Sequence, residues 1–204
     1  YEITTRLVGS EMCIRDSLMA QLAIGVAIYY FKYVVGNENM FAVFTGFSGL
    51  AKVIALMLFP VLSSKLGRQK VFFMACSMPV IGYFMLFLSG LLIPENAVMV
   101  AISGIIGEAG SGLSLGITTV MLADIVDYGE YKFGTRNESV IFSAQTFLVK
   151  AASAIGGLMI GVGLSLVGYV PNVEQSAETI TGIRVLMIGI PMALSVLELS
   201  LIHI

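Results

Sequence analysis

Two stretches without a single charge constrain this chain more than any other feature. Val71–Pro94 runs 24 residues between Lys70 and Glu95, and Ala151–Val173 runs 23 between Lys150 and Glu174. At about 1.5 Å of rise per residue, a helix of either length exceeds the ~30 Å hydrocarbon core of a bilayer. Composition points the same way. Of 204 residues, 57% are hydrophobic and only 12% charged, whereas a soluble domain carries about 25% charged residues. Half the charge needed to cover a water-facing surface is missing, so a soluble fold is excluded. The net charge of −2 comes with no basic stripe, which leaves no footprint for nucleic acid. Cys13 and Cys76 are too far apart in the chain to suggest a disulfide framework.

Polar punctuation divides the chain into six apolar spans, at Leu18–Val35, Phe41–Leu62, Val71–Ile93, Ala97–Ala123, Ser139–Gly168 and Ile183–Leu199. Each approaches or exceeds the ~20 residues of a spanning helix. No ten-residue alternating strands occur, so helices rather than a barrel satisfy the backbone in lipid. The expected fold is an all-α membrane protein with six transmembrane helices. Lys65, Arg68 and Lys70 lie between spans two and three, Lys132 and Arg136 between spans four and five, and Arg6 and Arg15 before span one. The other three connections (36–39, 94–96 and 169–182) hold no Lys or Arg. The positive-inside bias therefore puts both ends in the cytoplasm.

The two ends read differently from the body. Leu7–Ser17 is neither apolar nor periodic, and Leu199–Ile204 follows an ordinary sixth span. Both resemble translated adapter sequence, so residues 1–17 and 199–204 are expected to be non-native flanks of a body at 18–198. Cys13 and His203 fall in these flanks and are not offered as ligands. A first residue of Tyr1 rather than Met suggests a piece of a longer protein. Glycines recur at three- and four-residue spacing in span four (Gly104, Gly107, Gly110, Gly112, Gly116) and span five (Gly156, Gly157, Gly161, Gly163). That pattern suits close helix packing and helices that slide past neighbours.

Four charges are read inside spans: Lys32, Lys52, Glu108 and Lys150. Lys32 is near enough to the outer end to snorkel. Lys52 and Glu108 are central and can pair. Lys150 lies 12 residues after Glu138, about 18 Å into its span, where a lysine costs about 2.5–3.5 kcal/mol on insertion scales. Gln145, Thr146 and Ser153 share its side of the helix within a fan of about 140°. An ammonium, an amide and two hydroxyls suit a polyhydroxylated ligand. Two central lysines against one glutamate leave a positive charge unmatched, which points to a carboxylate outside this chain.

Span four runs into Asp124-Ile125-Val126-Asp127-Tyr128-Gly129-Glu130-Tyr131, then Arg136-Asn137-Glu138-Ser139. Carboxylates at three-residue spacing beside an Arg–Glu pair read as a solvated loop or as a charged latch between helix ends. This stretch, continuing to Lys150, resembles the glycoside–pentoside–hexuronide:cation symporter family. Residues 29–37 (YYFKYVVGN) and 65–70 (KLGRQK) are similar to the same family, and the resemblance covers about residues 18–198. It implies one half, the C-terminal six helices in two inverted three-helix repeats, of a twelve-span major facilitator fold. It places Lys150, Gln145 and Thr146 at a sugar pocket. Arg68, Asp124, Asp127, Glu130, Arg136 and Glu138 fall in its cytoplasmic charged network. The coupling cation (Na+, Li+ or H+) would bind mainly on the missing N-terminal half, and no bond-making chemistry or resident cofactor is implied. Two alternatives are weighed: a metal-dependent phosphotransferase using Asp124, Asp127 and Glu130, and a six-span homodimeric half-transporter or scaffold.

Overall fold

The computed structural model describes the backbone of residues 2–92 and 96–202 and the side chains of residues 14–92 and 96–200. Cys13, His203 and the connection at Pro94–Glu95 lie outside the described side chains. The architecture is all-helical, with six helices long and apolar enough to cross a membrane. Helix α1 (Glu2–Tyr29) continues as a π-helical stretch over Tyr30–Val35, followed by α2 (Asn39–Leu66), α3 (Arg68–Leu92), α4 (Ala97–Phe133) and α5 (Glu138–Leu166). The sixth span is built from α6 (Ala177–Arg184), a π-helical turn at Val185–Gly189, and α7 (Ile190–Ile202).

Local chemistry sets most of these boundaries. Asn96 caps α4, its side chain accepting from the N–H groups of Val98 and Met99 at 3.1 and 3.2 Å. Ser176 caps α6 by accepting from Thr179 N–H at 3.2 Å. Gly134 ends α4 in the left-handed region, at φ 68°, where a side chain would be strained. The π-helical turn in span six precedes Pro191, which has no N–H to give to Met187, so the ladder widens there.

Three elements differ from the boundaries read off the sequence. Helix α1 begins at Glu2 and runs through Leu7–Ser17, a segment with no proline to interrupt it. Helix α4 extends ten residues past Ala123 to Phe133, so the Asp124–Phe133 stretch read as the start of a loop is helical. At 37 residues it is about 55 Å long, and its last turns project beyond the bilayer. Span six begins at Ala177, because the capped polar turn of α6 belongs to the same helix.

Helix α4 is packed between α2 and α3, while α5 lies chiefly against α1. Its glycines explain the first arrangement. A Cβ on Gly82 of α3 would stand 2.7 Å from the Gly107 nitrogen, so α3 and α4 touch backbone to backbone. The core has two apolar clusters at different depths. One, toward the end that carries the α1–α2 connection, holds Tyr30, Phe31, Phe44, Leu86, Val100 and Met187. The other, toward the end that carries the α2–α3 connection, holds Ala55, Phe59, Val71, Leu113 and Ile117.

Candidate functional site

Helix α5 has the smallest buried share of the six spans, so most of its circumference is unpacked. That exposed surface divides into two sectors. Val140, Phe147, Ile155, Leu158 and Val162 form an apolar sector suited to lipid. Beside it Ser143, Thr146, Lys150, Ala154, Gly157 and Gly161 are all exposed and recur at three- and four-residue spacing. They occupy about 80° of arc at ~100° per residue. Lys150 has no ion pair among the described residues. Thr146 is one turn below it and donates its hydroxyl to Phe142 O at 2.8 Å, which leaves the oxygen's lone pairs for another donor. Gln145 and Ser153, expected on the same side, are half-buried toward the packed face. The lysine, the hydroxyls and the small residues thus form one strip, with Gln145 at its edge.

The five-span glycines split along the same line. Gly156 meets Gln21, and Gly163 meets Leu186, so each is a packing glycine. Gly157 and Gly161 have open space where a side chain would be. The sequence pattern had no means of separating the two pairs.

At the level between the apolar clusters, the Lys52 ammonium stands 3.1 Å from Glu108 Oε2. The two central charges pair with each other, and Lys150 is left as the exposed central cation. Lys32 reaches upward to Glu38 at 2.9 Å, the snorkelling geometry its position suggests. Sequence reading missed two further charges inside span six. Arg184 sits about two turns below the start of α6, with its Nε buried and unpartnered. Glu198 is 4% exposed, beside Cys76 and Asp16. Both were hidden in a span that reads as apolar on average.

The charged residues at the facing ends of α3, α4 and α5 pair with one another. Arg68, at the start of α3, donates to Asp124 at 2.6 Å and ties α3 to α4. Arg136, between α4 and α5, reaches Glu130 at 2.8 Å, Glu138 at 3.3 Å and Asp127 at 3.4 Å. Helical spacing explains this geometry: Asp127 and Glu130 lie on one side of the final turns of α4, and Gly134 folds Arg136 back toward them. The hydrogen bond that Arg136 donates to Glu130, then the one it donates to Glu138, pushes its already high pKa higher still. Exposed pairs of this kind add little stability, so their value lies in orientation and in the ease with which they break. Among the described residues no group of three His, Cys, Asp or Glu is arranged to hold a metal.

The opposite end of the bundle has a counterpart that the sequence reading did not single out. Tyr33 and Tyr169 meet hydroxyl to hydroxyl at 3.3 Å, and Asn172 N–H donates to Tyr33 at 3.3 Å. Tyr29 stacks edge-on to Tyr169 at 5.1 Å. Gln175 closes the loop on itself, donating to the carbonyls of Val170 and Val173 at 2.7 Å each. The bond to Tyr33 raises the Tyr169 phenol to about 12.

Comparison with known proteins gives these features a context. The sequence profile described as MFS/sugar transport protein matches residues 12–204. The chain is 31% identical over 166 residues to an isoprimeverose transporter of Lactiplantibacillus pentosus, covering 81% of this chain and 34% of that protein. It is 30% identical over 193 residues to a glucuronide carrier protein homolog of Escherichia coli, covering 94% and 41%. A putative sulfoquinovose importer of E. coli is 28% identical over 188 residues, covering 92% and 39%. The chain therefore spans between a third and two-fifths of the length of these curated relatives.

Proposed function

Because this chain belongs to the MFS/sugar transport protein family, we propose that it is the C-terminal six-helix half of a cation-coupled sugar symporter. Residues 18–198 form the transporter body, and residues 1–17 and 199–204 are flanks. Both ends lie on the cytoplasmic side of a bacterial inner membrane. The single observation that carries this reading is the exposed strip on α5, where Lys150 and Thr146 occur among small residues at membrane depth. A lysine facing hydrocarbon would be costly, so this strip faces a polar cavity shared with an N-terminal half.

In this mechanism the sugar binds at the midplane between halves. Lys150 and Thr146 contact its hydroxyl or acidic groups, with Gln145 at the edge. A Na+, Li+ or H+ ion, held mainly by the N-terminal half, favours sugar binding, and the sugar favours ion binding by the same factor. The Arg68–Asp124 and Arg136 pairs form the cytoplasmic latch that breaks when the cavity opens inward. A carboxylate of the other half, or an acidic sugar, supplies the partner for Lys150. The phosphotransferase alternative is set aside. The relatives are transporters, and Asp124, Asp127 and Glu130 are engaged by Arg68 and Arg136 rather than gathered around a metal.

The test is uptake of radiolabelled glycosides, pentosides and hexuronides into proteoliposomes carrying this chain together with an N-terminal half. Lys150→Ala should abolish ion-driven accumulation while membrane insertion and helix content stay unchanged. Unaltered uptake by Lys150→Ala would overturn the site.

A further inference from the structure

Between the two apolar clusters is a cavity of about 20 Å³ whose walls include Phe44, Gly82, Tyr83, Ser103, Gly107 and Glu108. The three polar side chains in that wall have complementary needs. Glu108 spends Oε2 on Lys52 at 3.1 Å, which leaves Oε1 as an acceptor. Ser103 donates to Val100 O at 2.8 Å, so its oxygen can still accept. Tyr83 is near enough to Glu108 to feel its charge, yet its hydroxyl has no hydrogen bond among the described residues. In the cavity wall the Tyr83 phenol is a donor and the second Glu108 carboxylate oxygen an acceptor, and a hydrogen-bonding occupant satisfies both better than apolar neighbours do.

We propose that this cavity binds one ordered water, which accepts from the Tyr83 hydroxyl and donates to Glu108 and Ser103. The volume suits it, since a single water needs roughly 10–15 Å³ on this measure and two to four polar partners. Water is the occupant whose two donors and acceptor match the set. A metal cation would need several oxygen ligands and would leave the Tyr83 hydrogen facing a positive ion. Lys52 already neutralises Glu108, and Asp16, the other carboxylate facing that pair, is not part of the cavity wall. The consequence is mechanical. Lys52 and Glu108 join α2 to α4, and the water extends that rung to α3, so three helices are tied at mid-membrane and move as one body.

A structure of the purified chain in lipid, at a resolution that shows waters, should contain a single peak within hydrogen-bond distance of Tyr83, Ser103 and Glu108. A direct Tyr83–Glu108 hydrogen bond, or a peak that appears only with added Na+, would overturn the proposal. Radiolytic hydroxyl labelling gives a second readout, because an ordered water held against a side chain promotes its labelling. Tyr83 should be labelled in the wild-type chain and several-fold less in Ser103→Val, whose added methyl group takes the water's place. Equal labelling of the two chains refutes the assignment. If Ser103→Val does not fold, the wild-type density decides.

Discussion

Breaking the Lys52–Glu108 pair from one side should destabilise the chain more than removing it from both. The Nζ–Oε2 distance is 3.1 Å, and the two side chains are 35% and 18% exposed. Unit charges about 4 Å apart attract by about 4 kcal/mol at an effective dielectric constant near 20. Losing one member of a fully buried pair costs about 3–5 kcal/mol, because the survivor is stranded. Lys52 is a third exposed, which screens it, so the expectation for Glu108→Gln falls to about 2 kcal/mol. Glu108 is the better buried of the two, so Lys52→Met should cost about 3 kcal/mol. The double variant Lys52→Met/Glu108→Leu strands neither member of the pair and should lose only about 1–2 kcal/mol in total, since apolar replacement of an ion pair is often close to neutral. The assay is reversible unfolding in mixed micelles, followed by helix content, for the wild type, both single variants and the double. Single losses that simply add in the double variant would mean the 3.1 Å contact contributes no coupling, and the reasoning fails.

Glycine substitutions should separate packing from open surface: Gly82→Ala drives a Cβ against the Gly107 backbone and should cost about 1–3 kcal/mol, whereas Gly157→Ala meets nothing within 4 Å and should be neutral or stabilising by up to ~1 kcal/mol. Comparable losses in the same unfolding assay would contradict this placement of α5. Arg136→Gln should leave the melting temperature unchanged, because the pairs it makes are exposed, yet slow sugar flux in proteoliposomes; a large drop in melting temperature with normal flux would assign it to the fold and not the latch. Alkaline titration followed by phenolate absorbance should show Tyr169 ionising near pH 12, above the ordinary value near 10. Its pKa is raised in the fold, so the Tyr33–Tyr169 contact is intact below pH 10 and is lost as pH rises through about 12. Tyr33→Phe should return Tyr169 to the ordinary range, and no change there would refute the hydroxyl contact.

Membrane residence, helical class and the number of spans were legible in the sequence, because charge-free length against bilayer thickness is a one-dimensional criterion. The pairs around Arg136 need only local sequence. Asp127 and Glu130 recur at helical spacing, and Arg136 follows within a few residues, so local geometry alone brings them together, whereas Asp124 meets Arg68 only because α3 packs on α4. Local sequence also overestimated one loop. The polar residues after Ala123 look like a connection, but nothing there breaks a helix until Gly134, and α4 continues into water. Arg184 and Glu198 were overlooked because a span's average hydropathy conceals single charges near its ends.

Other features depended on which helices become neighbours. Lys52 and Glu108 are 56 positions apart, and only the packing of α4 between α2 and α3 decides that they meet while Lys150 has no ion pair among the described residues. The same packing divides the span-five glycines into buried Gly156 and Gly163 and open Gly157 and Gly161. Composition and periodicity describe one helix at a time, and they fixed that this chain lives in a bilayer as six helices. Which face of each helix is spent on its neighbours, and which is left for a ligand or a second half, is set by side-chain complementarity between distant segments. That information exists only once the helices are packed.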